Sequence, residues 1–327
     1  MTHRRKRTNM CEWGGRISQL LSSALLFLLL GMQFLLPAHA GNSETARGVA
    51  WLQGQISASG TVVTRSRFAT SAQSQCEAAQ TLLGLAGNSM QVTAIIHAMP
   101  ETGDNIPTES LACKAALKHQ QGSSPGAALA TRYIADKGFA TYADEWVPGV
   151  IDTAWGFMAT ENPSAIQRKG TLEWLASKQA AGFFKVGGHS NIYATAIVLR
   201  ALNADALKNA ATLALAKPAA QALLGKQKVA GNWADSPMLT ALAFEAVHPY
   251  TAALPQLGPA VEAFLLAQQK PNGSWNDDPY TTALALRALV LVGVKPTDPE
   301  QQANSAIVKG TVYDEATNSP LAGASIA

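Results

Sequence analysis

The sequence is poor in cysteine and in charged residues, and each shortage excludes a class of protein. Three of the 327 residues are cysteines and no two form a C-x-x-C pair, which excludes a disulfide-built scaffold and a paired-cysteine zinc or redox site. Charged residues make up 14% of the chain and apolar residues 47%, so the chain is too apolar to be disordered. We therefore expect a folded protein with a large apolar core.

The excess of positive charge lies at one end of the chain. Five of the 25 Lys and Arg residues, but only one of the 22 Asp and Glu residues, fall within residues 1–40. The remainder carries a formal net charge of −1 in place of the +3 of the whole chain. No basic surface for nucleic acid is expected, and we predict no nucleic-acid partner.

Residues 1–40 have the layout of a secretory signal peptide. The basic stretch Arg4–Arg7 precedes an apolar run over residues 20–36, and Ala38 and Ala40 occupy the −3 and −1 positions of a cut before Gly41. A membrane anchor that stays uncleaved is the alternative, and the membrane is then contacted only through this segment. We predict an exported protein that is periplasmic, cell-surface or secreted.

A repeat of 42 residues is visible near the end of the chain. The segments 224–244 and 266–286 align without a gap. The residues that recur in both segments are Gln227/Gln269, Gly231/Gly273, Trp233/Trp275, Pro237/Pro279, Thr240/Thr282 and Ala241/Ala283. Fainter copies extend the series to six units over about residues 43–294, and each unit is marked by one alanine of its second helix. These marker alanines are Ala72, Ala112, Ala154, Ala196, Ala241 and Ala283.

Each unit predicts a pair of helices with different surfaces. The first helix keeps Lys, Gln and Glu residues and is expected to face water, whereas the second is apolar almost all round. Alternation of the two kinds predicts two concentric layers, an all-α (α/α)6 toroid of twelve helices. An open solenoid of similar repeat length is the alternative.

The repeated residues resemble a known superfamily. Gln227-x3-Gly231-x-Trp233 and its copy at Gln269 resemble the QW motif of squalene–hopene cyclases. The Thr-Ala-x-Ala-Leu-x-Ala-Leu run after Tyr280 and Thr281 is similar to inner helices of terpenoid cyclases and protein prenyltransferases. The resemblance implies an α/α toroid over residues 41–294, with a pocket near the starts of the inner helices.

The register of the repeat places a mostly acidic and aromatic set of residues at that end of the ring. The predicted binding rim consists of Glu109, Trp146, His189, Tyr193, Asp235, Asp278 and Tyr280. Helix capping is the alternative role for acids at such positions, above all for Asp278.

The catalytic motifs of the superfamily are incomplete in this sequence. Cyclases carry an Asp-x-Asp-Asp-Thr-Ala motif whose middle Asp is the acid, and here Ile151 takes that place while Asp152 is retained. No prenyltransferase-like zinc pattern is present, and we predict neither metal nor cofactor. Asp152 and Asp277 remain weak catalytic candidates. A glycan-cleaving pair drawn from Glu109, Asp152, Asp235 and Asp277 also stays open.

Two further features concern the cysteines and the tail. Cys76 and Cys113 fall on neighbouring inner helices, where a disulfide is feasible and two buried thiols are the alternative. Residues 295–306 are a linker by composition. Residues 307–327 predict two strands similar to the opening of a carboxypeptidase regulatory-like β-sandwich, which is too short to fold alone, so we expect a truncated module.

The sequence thus favours an exported binding or scaffold module over an enzyme. Its partner is expected to be a hydrophobic small molecule, a glycan or an envelope protein. An enzyme of the cyclase and prenyltransferase superfamily with a non-standard active site is the alternative.

Cleavage of the signal segment can be tested by intact mass. Protein purified from its own cell envelope is expected to begin at Gly41, because small residues flank that peptide bond on the required positions. A mass that still includes residues 1–40 would show an uncleaved anchor.

Overall fold

A computed structural model describes the ring region of the chain. The described residues are 40–87, 89–120, 127–160, 165–206 and 209–293. The predicted linker and β-module, and residues 1–39 of the predicted signal segment, lie outside them. Among the described helices none combines the length and the apolar character needed to span a bilayer.

Helices dominate the described residues. In chain order they are α1 (Ala40–Gly54), α2 (Ser71–Ala86), α3 (Met90–Ala98), α4 (Thr108–Gln120), α5 (Val150–Ala159), α6 (Ala165–Lys178), α7 (Ile192–Ala206), α8 (Ala210–Leu224), α9 (Pro237–Val247), α10 (Leu257–Gln268) and α11 (Pro279–Leu291). The order α2, α4, α5, α7, α9, α11 forms an inner ring in which each helix packs against the next and α11 packs against α2. The all-α toroid is therefore confirmed, and the open solenoid is excluded.

The third unit departs from the expected twelve helices. Where its outer helix was predicted, the described residues form a 3-10 helix (Ala127–Arg132) followed by the hairpin β1 (Tyr133–Ile134) and β2 (Gly138–Phe139). The preceding Gly-Ser-Ser-Pro-Gly at 122–126 is a helix-breaking sequence, which explains the difference. The buried guanidinium of Arg132 also donates hydrogen bonds to carbonyl oxygens of the 103–106 loop, which ties the short helix to the previous unit.

The fourth unit carries a small antiparallel sheet between its two helices. Strands β3 (Gln179–Ala180), β4 (Phe183–Val186) and β5 (His189–Ser190) pair in that order. The turn between β4 and β5 is Gly187-Gly188, with φ angles of 59° and 83°, which glycine adopts without steric cost. The hairpin therefore ends in a tight turn just before the inner helix of this unit.

The repeated threonine has one structural role in four of the units. Its hydroxyl oxygen accepts a hydrogen bond from the backbone N–H of an aromatic residue in the loop before the inner helix, at 2.9–3.0 Å. The pairs are Phe139–Thr153, Phe184–Thr195, Trp233–Thr240 and Trp275–Thr282. The threonine therefore satisfies a buried backbone donor, and the repeat retains it for architecture.

In the last two units the repeated Gly, and in the last unit also the repeated Gln, contact the outer helix of the following unit, which for the last unit is α1 of the first. The side-chain amide of Gln269 donates to the backbone oxygens of Glu44 in α1 and of Gly273, both at 2.8 Å. Gly273 has φ +90°, and a Cβ there would lie 2.4 Å from the carbonyl oxygen of Arg47. Gly231 meets Ala260 of α10 in the same way. These contacts close the ring through the outer layer.

The two cysteines of the ring lie on adjacent inner helices. Cys76 in α2 and Cys113 in α4 form a disulfide, with their Cα atoms 5.9 Å apart. Both side chains are buried, at 1% and 0% exposure. The crosslink therefore fastens the first two inner helices to one another from within the core.

Ring closure can be tested with a pair of glycine variants. Gly273→Ala is expected to lower the free energy of unfolding by about 2–4 kcal/mol, because its Cβ meets the Arg47 carbonyl and its φ is positive. Gly54→Ala is the matched control, since no atom lies within 4 Å of its added Cβ. Equal denaturant midpoints for the two variants would contradict this role of Gly273.

Candidate functional site

A buried ion network crosses the bore of the toroid. Glu77 of α2 is fully buried, and its carboxylate accepts a 2.7 Å hydrogen bond from Arg200 of α7, the helix opposite in the ring. Arg287 of α11 bonds to the same carboxylate. Glu245 of α9 pairs with Arg287 at 3.1 Å and with Arg200 at 3.5 Å. We call these four residues the bore network; they occupy the axis of the ring.

The bore network is neutral as a unit. Burial opposes ionisation of Glu77, but the attraction of Arg200 and Arg287 outweighs it and lowers the pKa of Glu77 to about 2. Burial also disfavours both guanidinium charges, yet Glu77 and Glu245 raise the pKa of each arginine above its ordinary value. Two positive and two negative charges therefore cancel within the bore, and the arginines are already occupied by carboxylates.

A second polar cluster lies above the bore network, that is, toward the N-terminal ends of the inner helices, in or beside their first turns. It consists of Thr70, Gln73, Glu109, Tyr193 and Tyr280, which we call the mouth cluster. The amide of Gln73 donates to Glu109 at 2.7 Å and lies 3.4 Å from the Tyr193 hydroxyl, which in turn lies 3.1 Å from that of Tyr280. The Thr70 hydroxyl donates to Glu109 at 2.7 Å. The contacts join helices that face each other across the ring.

The mouth cluster favours uncharged groups. Burial raises the pKa of Glu109, and the negative charge of nearby Asp152 adds to that rise. Burial likewise raises the pKa of Tyr193 and, further, that of Tyr280. Both phenols therefore stay protonated near neutral pH, and Glu109 keeps its proton to a higher pH than an exposed glutamate does.

Asp152 lies at the same end of the ring, and its charge acts on Glu109 of the mouth cluster. It lies in the first turn of α5, next to α4, and its carboxylate accepts a 2.8 Å hydrogen bond from the Thr141 hydroxyl. Burial raises its pKa, and the charge of Glu145 adds to the effect. Of the four acids considered for a carboxylate pair, Glu109 and Asp152 are the two that influence one another.

The other two acids lie apart from this end of the bore. Asp235 and Asp277 occupy exposed loops of consecutive units, and each forms an ion pair with a lysine of its own loop, Lys228 and Lys270 respectively. Hydrogen bonds from Lys270, and then from Asn272 and Ser274, lower the pKa of Asp277 to about 2. Both carboxylates thus have partners within their own loops, and neither Asp235 nor Asp277 is an unpaired acid.

The remaining predicted rim residues have separate surroundings. Asp278 is buried and caps α11, accepting from the Thr281 N–H at 2.7 Å, and it also accepts from the Arg67 N–H at 3.2 Å. Trp146 is 85% exposed in the loop before α5, and His189 is exposed on β5. Capping thus accounts for Asp278, whereas Trp146 and His189 stand free on the surface.

The bore network was missed at the sequence level, although a signal for it exists. Arg200, Glu245 and Arg287 each lie four residues after the marker alanine of their unit, within an otherwise apolar run. Charged residues at one register of three buried helices predict a shared site in the bore. Glu77 lies one position later, on α2.

A cavity opens at the opposite end of the bore. The cavity has a volume of about 370 Å³, with Arg200, Glu245 and Arg287 on its inner side and Leu85 and Val290 on its wall. Within the described ranges no group of three or more His, Cys, Asp or Glu residues is arranged to hold a metal ion.

Comparison with known proteins relates the chain to others through its fold. No family model and no curated protein sequence matches it. A variant of the type II terpene cyclase MstE from Scytonema in complex with merosterolic acid A (product) matches with 17% identity and TM-score 0.64, covering 79% of this chain and 99% of that one. A second MstE variant (apo) matches with 18% identity, TM-score 0.63 and the same coverage.

A third solved structure matches over a smaller share of its own length. The ent-copalyl diphosphate synthase from Streptomyces platensis matches with 19% identity and TM-score 0.55 over 68% of this chain and 50% of that one. Together these neighbours show that the described toroid has a terpenoid cyclase-like fold.

The bore network predicts a specific response to acid. Because the pKa of Glu77 falls from 4.5 to about 2 on folding, its stabilising contribution is present above pH 4.5 and is lost as the pH falls toward 2. Glu77→Gln is expected to destabilise the protein by about 3–5 kcal/mol at neutral pH, since it leaves buried arginines without their partner. Denaturant unfolding from pH 7 to pH 2 measures both effects.

The control for that variant is Glu173→Gln on α6. Glu173 is exposed and pairs with Lys169 at 3.9 Å, so a change below about 0.5 kcal/mol is expected. If Glu77→Gln and Glu173→Gln unfolded alike across this pH range, the bore network would not be a main source of stability.

Proposed function

We propose that this chain is an exported binding protein that takes an uncharged, hydroxyl-bearing hydrophobic molecule at the mouth of the toroid. The observation that carries the proposal is the arrangement of polar groups along the bore. The bore network neutralises its own charges, whereas the mouth cluster above it presents phenols, an amide and a carboxyl whose pKa is raised.

The chemistry of the mouth supports a neutral ligand. The Tyr193 phenol and the Gln73 amide each donate as well as accept hydrogen bonds, which suits a hydroxyl group. The buried Tyr280 hydroxyl lies 3.1 Å from that of Tyr193 and supports it from the core side. The acids Glu109 and Asp152 at this end of the ring offer no positive charge to an anionic head group. Ile151 and Met238 share the register of the two tyrosines, three residues before the marker alanine, and so add apolar surface at the same level.

The main alternative is an enzyme of the cyclase superfamily, and one observation favours it. Glu109 also lies three residues before its marker alanine, the register at which the cyclase motif places its acid and at which Ile151 stands in the next unit. An acid on the neighbouring helix could replace the missing one. We favour binding because Thr70 and Gln73 both donate to this carboxyl, so its hydrogen bonds are already made within the protein.

Binding can be tested with one alcohol and its charged counterpart. The linear terpenoid alcohol geranylgeraniol and its diphosphate are offered to the protein purified from its envelope, and complexes are weighed by native mass spectrometry. We expect the alcohol to bind and the diphosphate not to bind. Tyr193→Phe is expected to weaken binding of the alcohol about fivefold to tenfold, because one hydrogen bond is lost.

Tyr133→Phe is the matched control, since the Tyr133 hydroxyl donates to the Gln167 carbonyl at 3.2 Å in a different part of the structure. Binding of the diphosphate alone, or equal binding by both variants, would overturn the proposal. Conversion of the alcohol to an isomer, abolished by Glu109→Gln, would establish the enzyme instead. A protein that binds neither compound and carries no small molecule from the envelope would be a scaffold for other proteins.

A further inference from the structure

A second concave surface lies on the outside of the ring, apart from the mouth cluster. It is a groove of about 450 Å³ between the start of α5, the end of α6 and the β4–β5 hairpin. We call it the outer groove. Its volume lies within the range of small-molecule and oligomer binding sites in proteins.

A helix and a hairpin place the side chains that line the outer groove. On α6, Trp174 and Lys178 are one helical turn apart, and the ammonium of Lys178 lies 5.2 Å from the centre of the indole ring. On the hairpin, Lys185 and Val186 are held by the pairing of β4 with β5 and by the Gly187-Gly188 turn.

The outer groove has a positive charge. Lys178 and Lys185 are the two ionisable residues among its lining, and in the described part of the chain neither forms an ion pair. Among the acids near the groove, Asp152 places its carboxylate beside Gly149 of the lining, where it accepts a hydrogen bond from the Thr141 hydroxyl. Two further acids near the groove also have partners. Glu173 pairs with Lys169, and the Glu145 carboxylate accepts from the backbone N–H groups of the 141–142 turn.

We propose that the outer groove binds an acidic polysaccharide, with its carboxylates at Lys178 and Lys185 and its sugar rings against Trp174 and Val186. A flat indole beside glycine backbone and the Ser177 hydroxyl suits the mixed apolar and hydroxyl surface of a sugar ring. A peptide is typically anchored by an apolar side chain in a groove pocket, whereas here the apolar wall is open and the charge is the main feature. The proposal is independent of the ligand at the mouth.

The test compares one oligosaccharide with its uncharged derivative. Oligogalacturonate, and the same oligomer with its carboxyl groups reduced to alcohols, are titrated into the mature protein by calorimetry. Binding of the acidic oligomer is expected, with affinity about tenfold higher than that of the reduced oligomer and falling as salt is added. Lys185→Glu is expected to weaken binding about tenfold or more, because it reverses one of the two charges.

Lys169→Glu is the matched control, since Lys169 is exposed on the same helix as Trp174 and Lys178 but does not line the groove. It is expected to leave the affinity within about twofold of the unmodified protein, as is Tyr193→Phe at the mouth. Thermal unfolding verifies that each variant is folded. Absence of binding, equal affinity for the reduced oligomer, or equal loss with Lys169→Glu would overturn the proposal. Tighter binding of poly-glutamate than of oligogalacturonate would assign the groove to an acidic peptide instead.

Discussion

One fully buried carboxylate, that of Glu77, links three inner helices of the ring and occupies part of its bore. Glu77 belongs to the first inner helix, and its partners Arg200 and Arg287 belong to the opposite helix and to the last one. A charge buried without a partner costs several kcal/mol, so the carboxylate tolerates its position only when both arginines are in place. Closure of the ring therefore brings the three charges together, since α2, α7 and α11 surround the same bore in the closed toroid.

The repeat and the site use different residues of the same helices. The residues that recur, such as Gln269, Gly273 and Thr282, are explained by backbone contacts between helices and loops. The residues that face the bore vary from unit to unit, and they carry the charges, phenols and amide of the network and the mouth. The toroid that the chain shares with terpene cyclases consequently describes only the arrangement of the helices. The chemistry depends on positions at which the residue differs from unit to unit.

The mouth cluster and the outer groove carry different polar groups, and each therefore suits a different kind of ligand. The mouth cluster combines neutral donors and acceptors with acids whose pKa is raised, so it suits an uncharged hydroxyl compound. The outer groove presents two lysines without carboxylate partners among the described residues and so suits an anion. The difference arises because α4 and α5 contribute acids whose pKa is raised to the mouth, while the end of α6 and the hairpin contribute lysines to the groove.

The sequence by itself determined the repeat, the two helical layers and the ring, since a 42-residue period and an apolar second helix are local patterns. It also placed the two cysteines on neighbouring inner helices. It predicted Asp278 in the binding rim with capping as the alternative role, and the structure shows the cap. The sequence predicted one outer helix too many. The helix-breaking residues at 122–126 precede the third unit, which has a 3-10 helix and a hairpin where the periodicity predicted an α-helix. Only the tertiary structure decided which charges meet: Arg200 and Glu77 are 123 residues apart, and their contact exists only once the ring is closed. The same holds for the two acids that the sequence offered as catalytic candidates. Burial raises the pKa of Asp152, whereas a lysine in its own loop lowers the pKa of Asp277.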